Sequence, residues 1–138
     1  MAALYRAGAE QAAALEVLCT RRAAREPLQY LCGSWSFLDF ELAVGPGVLC
    51  PRADTEVVAQ AAAETLAGIA APRVLDLCAG TGCLGLGVKR FCPAAQVTCV
   101  EKSPAAFAYL EKNARCALSG QGRQTENVLE PSALEQAN

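Results

Sequence analysis

The fold of this chain is decided by the stretch Val74-Leu75-Asp76-Leu77-Cys78-Ala79-Gly80-Thr81-Gly82. The apolar run at its start follows Pro72 and leads into a glycine-rich turn, a pattern that predicts a buried β-strand. Gly85 and Gly87 then alternate with apolar residues, which predicts a helix directly after the turn. A strand, a glycine turn and a helix N-terminus together form a cradle in which backbone N–H groups point at a ligand.

Asp76 separates two kinds of ligand for this cradle. The spacing Gly80-x-Gly82-x-x-Gly85 also fits the fingerprint of dinucleotide-binding folds. A carboxylate at the strand end would repel a pyrophosphate but attract a ligand that carries an ammonium and a sulfonium group. S-adenosylmethionine carries both and is the favoured cofactor. An NAD or FAD module is the second hypothesis, and a third alternative is that Asp76 only caps the turn while the glycines only permit close packing.

Composition limits the classes of protein to which the chain can belong. Its 138 residues suffice for one domain with a sizeable core, and 53% hydrophobic against 19% charged residues predicts a globular chain. The net charge of -2 gives no electrostatic footprint for direct nucleic-acid binding. No apolar run is long enough to span a bilayer, so no membrane partner is predicted.

Eight cysteines and no histidine make the cysteine pattern informative. The cysteines never form a C-x-x-C pair, so no metal site is predicted. Their neighbours are mostly apolar, which predicts small buried residues rather than a disulfide framework. Reduced cysteines are typical of a reducing compartment, and we therefore expect a cytoplasmic location.

The first half of the chain contains two predicted helices with a hairpin between them. An alanine-rich amphipathic helix is expected from Ala2 to about Ala24, before Pro27. Two short strands with a turn at Leu38-Asp39 are expected within residues 33–44. A second helix is expected from residues 52–56 to about Ala67, with Asp54 or Thr55 as its N-cap.

The second half continues from the glycine turn as strand, helix and possible strand. The next strand spans residues 96–100, and Glu101 follows it, 25 positions after Asp76 (101 − 76). In a parallel nucleotide-binding sheet an acid there accepts both ribose hydroxyls; the alternative is an exposed loop acid. Ser103-Pro104 predicts the next helix start, and residues 125–129 predict a third short strand. The resulting β-α-β-α-(β) order is half of a doubly wound α/β sheet.

Four segments of the sequence resemble the protein-(glutamine-N5) methyltransferase family, whose members methylate the Gly-Gly-Gln glutamine of peptide-chain release factors. They are Pro27-Leu28-Gln29-Tyr30-Leu31-x-Gly33, Phe37, Val48-Leu49-Cys50-Pro51-Arg52-x-Asp54-Thr55-Glu56 and Leu75 to Gly82. The resemblance implies a partial Rossmann-like S-adenosylmethionine-dependent methyltransferase sheet, preceded by a helical segment and a β-hairpin. It places the helical segment at 1–33, the hairpin linker at 34–52 and the first half of the methyltransferase domain at 53–138.

The resemblance also assigns site residues. It implies that the methionine end of the cofactor lies against Cys78, Ala79, Gly80, Thr81 and Gly82. Glu101 would hold the ribose and Asn127 would lie beside the adenine, while the cofactor role of Asp76 is expected from its charge alone. Cys78 stands where the commonest family pattern has glycine, and many members have aspartate in place of Glu101 and Asn127.

The family's catalytic Asn-Pro-Pro-Tyr motif is missing from this sequence. By resemblance it follows the fourth strand of the sheet, beyond residue 138. We therefore expect the chain to be a fragment that holds cofactor-binding residues but no catalytic residue, and to be inactive alone. A release factor is the expected partner of the complete enzyme, and a non-catalytic remnant is the remaining alternative.

Overall fold

The computed structural model describes residues 2–119, and for residues 2–7, 9, 10, 118 and 119 it describes the backbone alone. Nine elements follow one another in this range: α1 (Ala2–Ala23), α2 (Leu28–Cys32), β1 (Ser34–Phe37), β2 (Phe40–Ala43), α3 (Ala53–Thr65), β3 (Arg73–Leu77), α4 (Cys83–Phe91), β4 (Gln96–Val100) and α5 (Pro104–Ser119). No helix in this part of the chain has the length and apolarity to span a bilayer.

The strands form two small sheets. β3 and β4 pair in parallel, from Arg73 opposite Gln96 to Leu77 opposite Val100, with α4 as the crossover helix. β1 and β2 form an antiparallel hairpin that turns at Leu38 and Asp39. The predicted parallel βαβ unit and the preceding hairpin are both confirmed, while the predicted strand at 125–129 lies outside the described residues.

The prediction that β3 is buried is wrong for one of its faces. Leu75 and Leu77 are 60% and 64% exposed, whereas Asp76 between them is only 7% exposed. Successive side chains of a strand point to opposite faces, so Asp76 shares the covered face with its partner Cys99 on β4. Within residues 2–119, helix α4 packs on that covered face. An apolar run in the sequence does not show that only one face of the strand is buried.

The hairpin packs into a core that it shares with three helices. Phe37 and Leu42 are almost completely buried beside Ala59 of α3, Leu86 of α4 and Ala114 of α5. A second apolar cluster lies between the parallel strands and α5, and comprises Ala79, Ala95, Val97, Cys99 and Leu110. The predicted domain boundaries at 33/34 and 52/53 stay a prediction, because the hairpin and the helices share one core.

Two details of the helices differ from expectation. Helix α2, which was not predicted, follows Pro27 and ends at Gly33, whose φ of 73° is left-handed. Helix α3 has Arg52 at its N-cap position and no side-chain cap, so the predicted cap at Asp54 or Thr55 is wrong. Both residues lie inside the first turn, where an acid still interacts favourably with the helix dipole.

The prediction of buried cysteines is wrong for most of them. Cys99 is buried, but Cys19, Cys32 and Cys78 are exposed. Apolar neighbours in sequence do not show which face of a helix, strand or loop a residue occupies, and this limits the prediction.

Candidate cofactor site

The loop between β3 and α4 contains three residues in the left-handed region. Cys78, Gly80 and Gly82 have φ values of 61°, 57° and 80°. The N–H of Gly82 donates to the carbonyl of Ala79 at 2.7 Å, and Gly82 is the N-cap of α4. This backbone turns the chain from the strand into the helix, and the φ of Cys78 is one that favours glycine.

The three fingerprint glycines have different surroundings. A Cβ on Gly85 would lie 2.6 Å from the Cys99 sulfur, and one on Gly82 would lie 2.5 Å from Leu110 Cδ1. A Cβ on Gly80 would have only Val48 Cγ2 within 4 Å, at 3.9 Å. Close packing therefore accounts for Gly82 and Gly85, whereas Gly80 has open space that a ligand could approach.

The carboxylate of Asp76 is turned toward the start of α4. Its Oδ2 accepts the N–H of Gly85, the third residue of the helix, at 2.9 Å. Cys99 Sγ lies 4.0 Å from the same oxygen. This is the hydrogen bond expected of the capping alternative, since it satisfies one of the free N–H groups at the helix start. A role for Asp76 toward a cofactor stays a prediction.

Burial controls the protonation of Asp76 and Cys99. Desolvation raises the pKa of Asp76 above its usual range, and the nearby Glu101 raises it further, while the Gly85 hydrogen bond opposes the shift. Desolvation, with Asp76 adding to it, raises the pKa of Cys99 to about 12. The Cys99 thiol is therefore neutral at physiological pH, and its role in the interior is packing.

Glu101 joins the ends of the two parallel strands. Its Oε2 accepts the N–H of Gly80 at 2.8 Å, and its Oε1 accepts the N–H of Ser103 at 2.8 Å. The N–H of Ala79 also donates to the carbonyl of Val100 at 3.0 Å. The half-buried Glu101 carboxylate thus lies directly beside the glycine loop, as the sheet topology predicts for acids at the carboxyl ends of parallel strands.

A segment of the first half of the chain lies beside the glycine loop. Val48 is buried beside Gly80, and its carbonyl accepts the hydroxyl of Tyr30 at 2.7 Å. A Cβ on Gly47 would lie 2.9 Å from Ala105 Cβ, and one on Gly45 would meet the hydroxyl of Tyr109, so this segment packs closely on α5. The sequence resemblance includes Tyr30 and Val48, but it gives no indication of this contact.

Asn113 is a buried residue that the sequence interpretation missed. Its Nδ2 donates to the carbonyls of Thr81 and Ala43, at 2.9 and 3.1 Å, and its Oδ1 accepts the N–H of Ala43 at 2.7 Å. Asn113 lies three residues after Leu110 and directly before Ala114, both fully buried. A polar residue on this apolar helix face was the available signal.

The structure brings most of the predicted cofactor residues together at the carboxyl edge of the sheet. They are Asp76, Cys78, Ala79, Gly80, Thr81, Gly82 and Glu101. Asn127 lies outside the described residues. Among residues 2–119, no three Cys, Asp or Glu side chains are arranged to hold a metal ion.

A parallel βαβ unit with a glycine loop, and an acid at the end of its second strand, is the arrangement typical of α/β domains that bind nucleotide cofactors. The Methyltransferase small domain family matches residues 40–135, and the chain belongs to that family.

Three curated relatives have the same name, release factor glutamine methyltransferase. The relative from Bifidobacterium longum is 45% identical over 105 residues, which cover 75% of this chain and 36% of the relative. The values are 46% over 103 residues for Bordetella pertussis and 44% over 105 residues for Geobacter sulfurreducens, which cover 75% and 76% of this chain and 38% and 36% of the relatives. The chain thus spans little more than a third of the length of these relatives.

Proposed function

We propose that this chain provides the cofactor half of an S-adenosylmethionine-dependent methyltransferase that modifies the Gly-Gly-Gln glutamine of a peptide-chain release factor. The observation that carries the proposal is the position of the Glu101 carboxylate on Gly80, the glycine with open space. The names of the relatives support the reaction and the substrate. A cytoplasmic location belongs to the same proposal, because release factors act there.

The chemistry of the residues fits this cofactor. Each carboxylate oxygen of Glu101 accepts one backbone N–H, and each keeps a second lone pair for a ribose hydroxyl. The space next to Gly80 is open, because the nearest side-chain atom to a Cβ built there is Val48 Cγ2 at 3.9 Å. Asp76, when ionised, adds a negative potential that favours an ammonium and a sulfonium group.

In the proposed reaction the residues of this chain bind the cofactor and orient it. When bound, S-adenosylmethionine supplies a sulfonium-activated methyl group, which passes to the glutamine amide nitrogen as the S–C bond breaks and the amide loses one proton. Glu101 fixes one end of the cofactor, and the loop from Cys78 to Gly82 fixes the other. Such positioning accelerates a transfer between two substrates by converting it into a reaction within one complex.

A titration of the 138-residue chain with three ligands tests the cofactor. Isothermal titration should show S-adenosylhomocysteine and S-adenosylmethionine binding at least about tenfold more tightly than NAD, a difference of about 1.4 kcal/mol. In the same titration Glu101→Gln should bind S-adenosylhomocysteine more weakly than the parent. Glu111→Gln on α5 is the matched control, because this half-exposed acid pairs with Arg115 and not with the glycine loop, and its affinities should equal those of the parent. Tighter binding of NAD would instead support a dinucleotide module built from the same glycines.

The substrate is tested separately. The protein that contains this chain is incubated with release factor and S-adenosylmethionine labelled on its methyl group, and peptides are sequenced by mass spectrometry. We expect the label on the Gly-Gly-Gln glutamine and none on a release factor with alanine in its place. Cofactor binding with label on another residue would keep the methyltransferase and reject this substrate.

A further inference from the structure

Asn113 connects the candidate cofactor loop with the hairpin. It lies on α5 and is only 2% exposed. One Nδ2 hydrogen bond reaches Thr81 inside the glycine loop, while the other Nδ2 bond and the Oδ1 bond both reach Ala43 at the end of β2. Ala43 and Asn113 are 70 residues apart in sequence. The side chain therefore makes a long-range link between the hairpin and α5.

The amide of Asn113 is the group best suited to this position. It pairs with the N–H and the carbonyl of Ala43 as a peptide of a neighbouring strand would, and it still has a donor for the Thr81 carbonyl. A carboxylate of the same shape would accept from Ala43 but would face both carbonyls without a proton to donate. All three bonds are buried or half-buried, where an unsatisfied polar group is expensive.

We infer that Asn113 is a positioning residue that fixes the glycine loop for cofactor binding, and that it does so from the hairpin. This inference rests on the proposed function. The glycine loop is held from three sides: Asp76 binds the start of α4, Glu101 binds Gly80, and Asn113 binds the carbonyl of Thr81. Of these three anchors, Asn113 is the one that also binds Ala43 of β2, and it would act on a bound cofactor through Thr81.

Two variants of Asn113 test the inference against a control that destabilises the same core. Asn113→Ala removes all three hydrogen bonds, and Asn113→Asp keeps the shape while it removes both donors. Leu42→Ala is the control, because Leu42 is fully buried next to Ala43 but belongs to the hairpin core. Urea unfolding first establishes the stability of each variant, and the comparisons are made where all of them are folded.

Two readouts distinguish positioning from stability. Both Asn113 variants should weaken S-adenosylhomocysteine binding about tenfold in isothermal titration, whereas Leu42→Ala should change it by less than about twofold. Amide hydrogen exchange of residues 79–82, measured without ligand, should accelerate about tenfold in the Asn113 variants beyond the change in the control. Equal exchange and equal affinity in the control and the Asn113 variants would overturn the inference.

The same experiment separates this inference from the proposed function. A parent chain that binds no S-adenosylhomocysteine would reject the cofactor proposal, and the hydrogen exchange of residues 79–82 would still decide whether Asn113 holds the loop. Unchanged exchange there would reject the anchoring role whatever ligand the loop binds. Should Asn113→Asp fail to fold, Asn113→Ala decides, because it introduces no buried charge.

Discussion

The carboxylate of Glu101 accepts the N–H of Gly80 at 2.8 Å and so links the ends of β4 and β3. A glutamine at position 101 would retain one acceptor oxygen but would turn an NH₂ group toward Gly80 or Ser103. Glu101→Gln should therefore weaken binding of S-adenosylhomocysteine by about 1.5–3 kcal/mol, the range for hydrogen bonds to charged groups. Unchanged affinity in isothermal titration would place the ribose elsewhere.

Two substitutions of Asp76 separate its roles in capping and in cofactor binding. Asp76→Ala leaves the N–H of Gly85 without an acceptor and should cost about 1–3 kcal/mol of stability. Asp76→Asn keeps an acceptor and should preserve the helix start, yet weaken binding of the cationic S-adenosylmethionine by removing the negative charge. Urea unfolding and titration on the same samples measure both effects. An Asp76→Asn variant with unaltered affinity would make the residue a cap alone.

The protonation of Asp76 gives the stability of the chain a pH dependence. Its pKa is raised in the folded chain above the ordinary 3.8, so the folded state holds the proton more tightly than the unfolded state. The stabilising contribution is therefore greatest below pH 3.8 and is lost as the pH rises through the raised pKa. Urea unfolding at several pH values should show Asp76→Asn gaining stability relative to the parent across this window. A difference in stability between Asp76→Asn and the parent that does not change with pH would contradict the raised pKa of Asp76.

Gly85 should be intolerant of any side chain. A Cβ there would lie 2.6 Å from the Cys99 sulfur and 3.0 Å from Asp76 Oδ2. Gly85→Ala should cost about 1–3 kcal/mol through overpacking between α4 and the sheet. Gly8→Ala is the matched control, because Gly8 lies in α1 with open space around it, and alanine should stabilise that helix by about 0.5–1 kcal/mol. Thermal unfolding of both variants tests the contrast.

Cys78 occupies a backbone conformation that favours glycine. Its φ is 61°, which costs a residue with a Cβ about 1–2 kcal/mol. Cys78→Gly removes this strain, and after the entropy cost of glycine it should stabilise the chain by up to about 1 kcal/mol. Cys78→Ala, which removes the thiol but keeps the Cβ, should bring no gain. Equal stabilisation by both variants would show that the sulfur, not the backbone, is responsible.

Glu56 of α3 holds the turn of the hairpin. Its Oε1 accepts the N–H of Leu38 at 2.9 Å, and Leu38 has a left-handed φ of 54°. Glu56→Ala should cost about 1–2 kcal/mol, because the half-buried N–H would lose its acceptor. Glu64→Ala in the same helix, whose exposed side chain accepts a hydrogen bond from Gln60, should stay within about 0.5 kcal/mol of the parent. Equal losses in chemical denaturation would show that the hydrogen bond to Leu38 contributes no stability of its own.

Local signals in the sequence predict much of the fold. The order of strand, glycine loop, helix and strand follows from periodicity and glycine spacing, and Ser103 caps α5 as predicted, accepting the N–H of Ala106. The contact between Glu101 and Gly80 follows from topology, because carboxyl ends of neighbouring parallel strands meet. These predictions depend on interactions within one element or between adjacent ones.

Contacts between distant segments could not be predicted in the same way. The sequence predicts Glu56 as an acid in the first turn of a helix. Its hydrogen bond to Leu38 depends on how the hairpin packs against α3, which the sequence does not show. Asn113 meets Ala43 only after α5 has docked. The exposed face of β3 shows the same limit, since an apolar run does not indicate which face the helices cover.

The pairing of Asn113 with Ala43 also protects the hairpin from other chains. The N–H and the carbonyl of Ala43 lie on the side of β2 that does not face β1, where a foreign strand could otherwise add. The buried amide occupies both groups and so closes the end of this edge to intermolecular β-pairing. Loss of Asn113 would therefore expose a nucleation point for aggregation, with consequences for solubility during synthesis and storage.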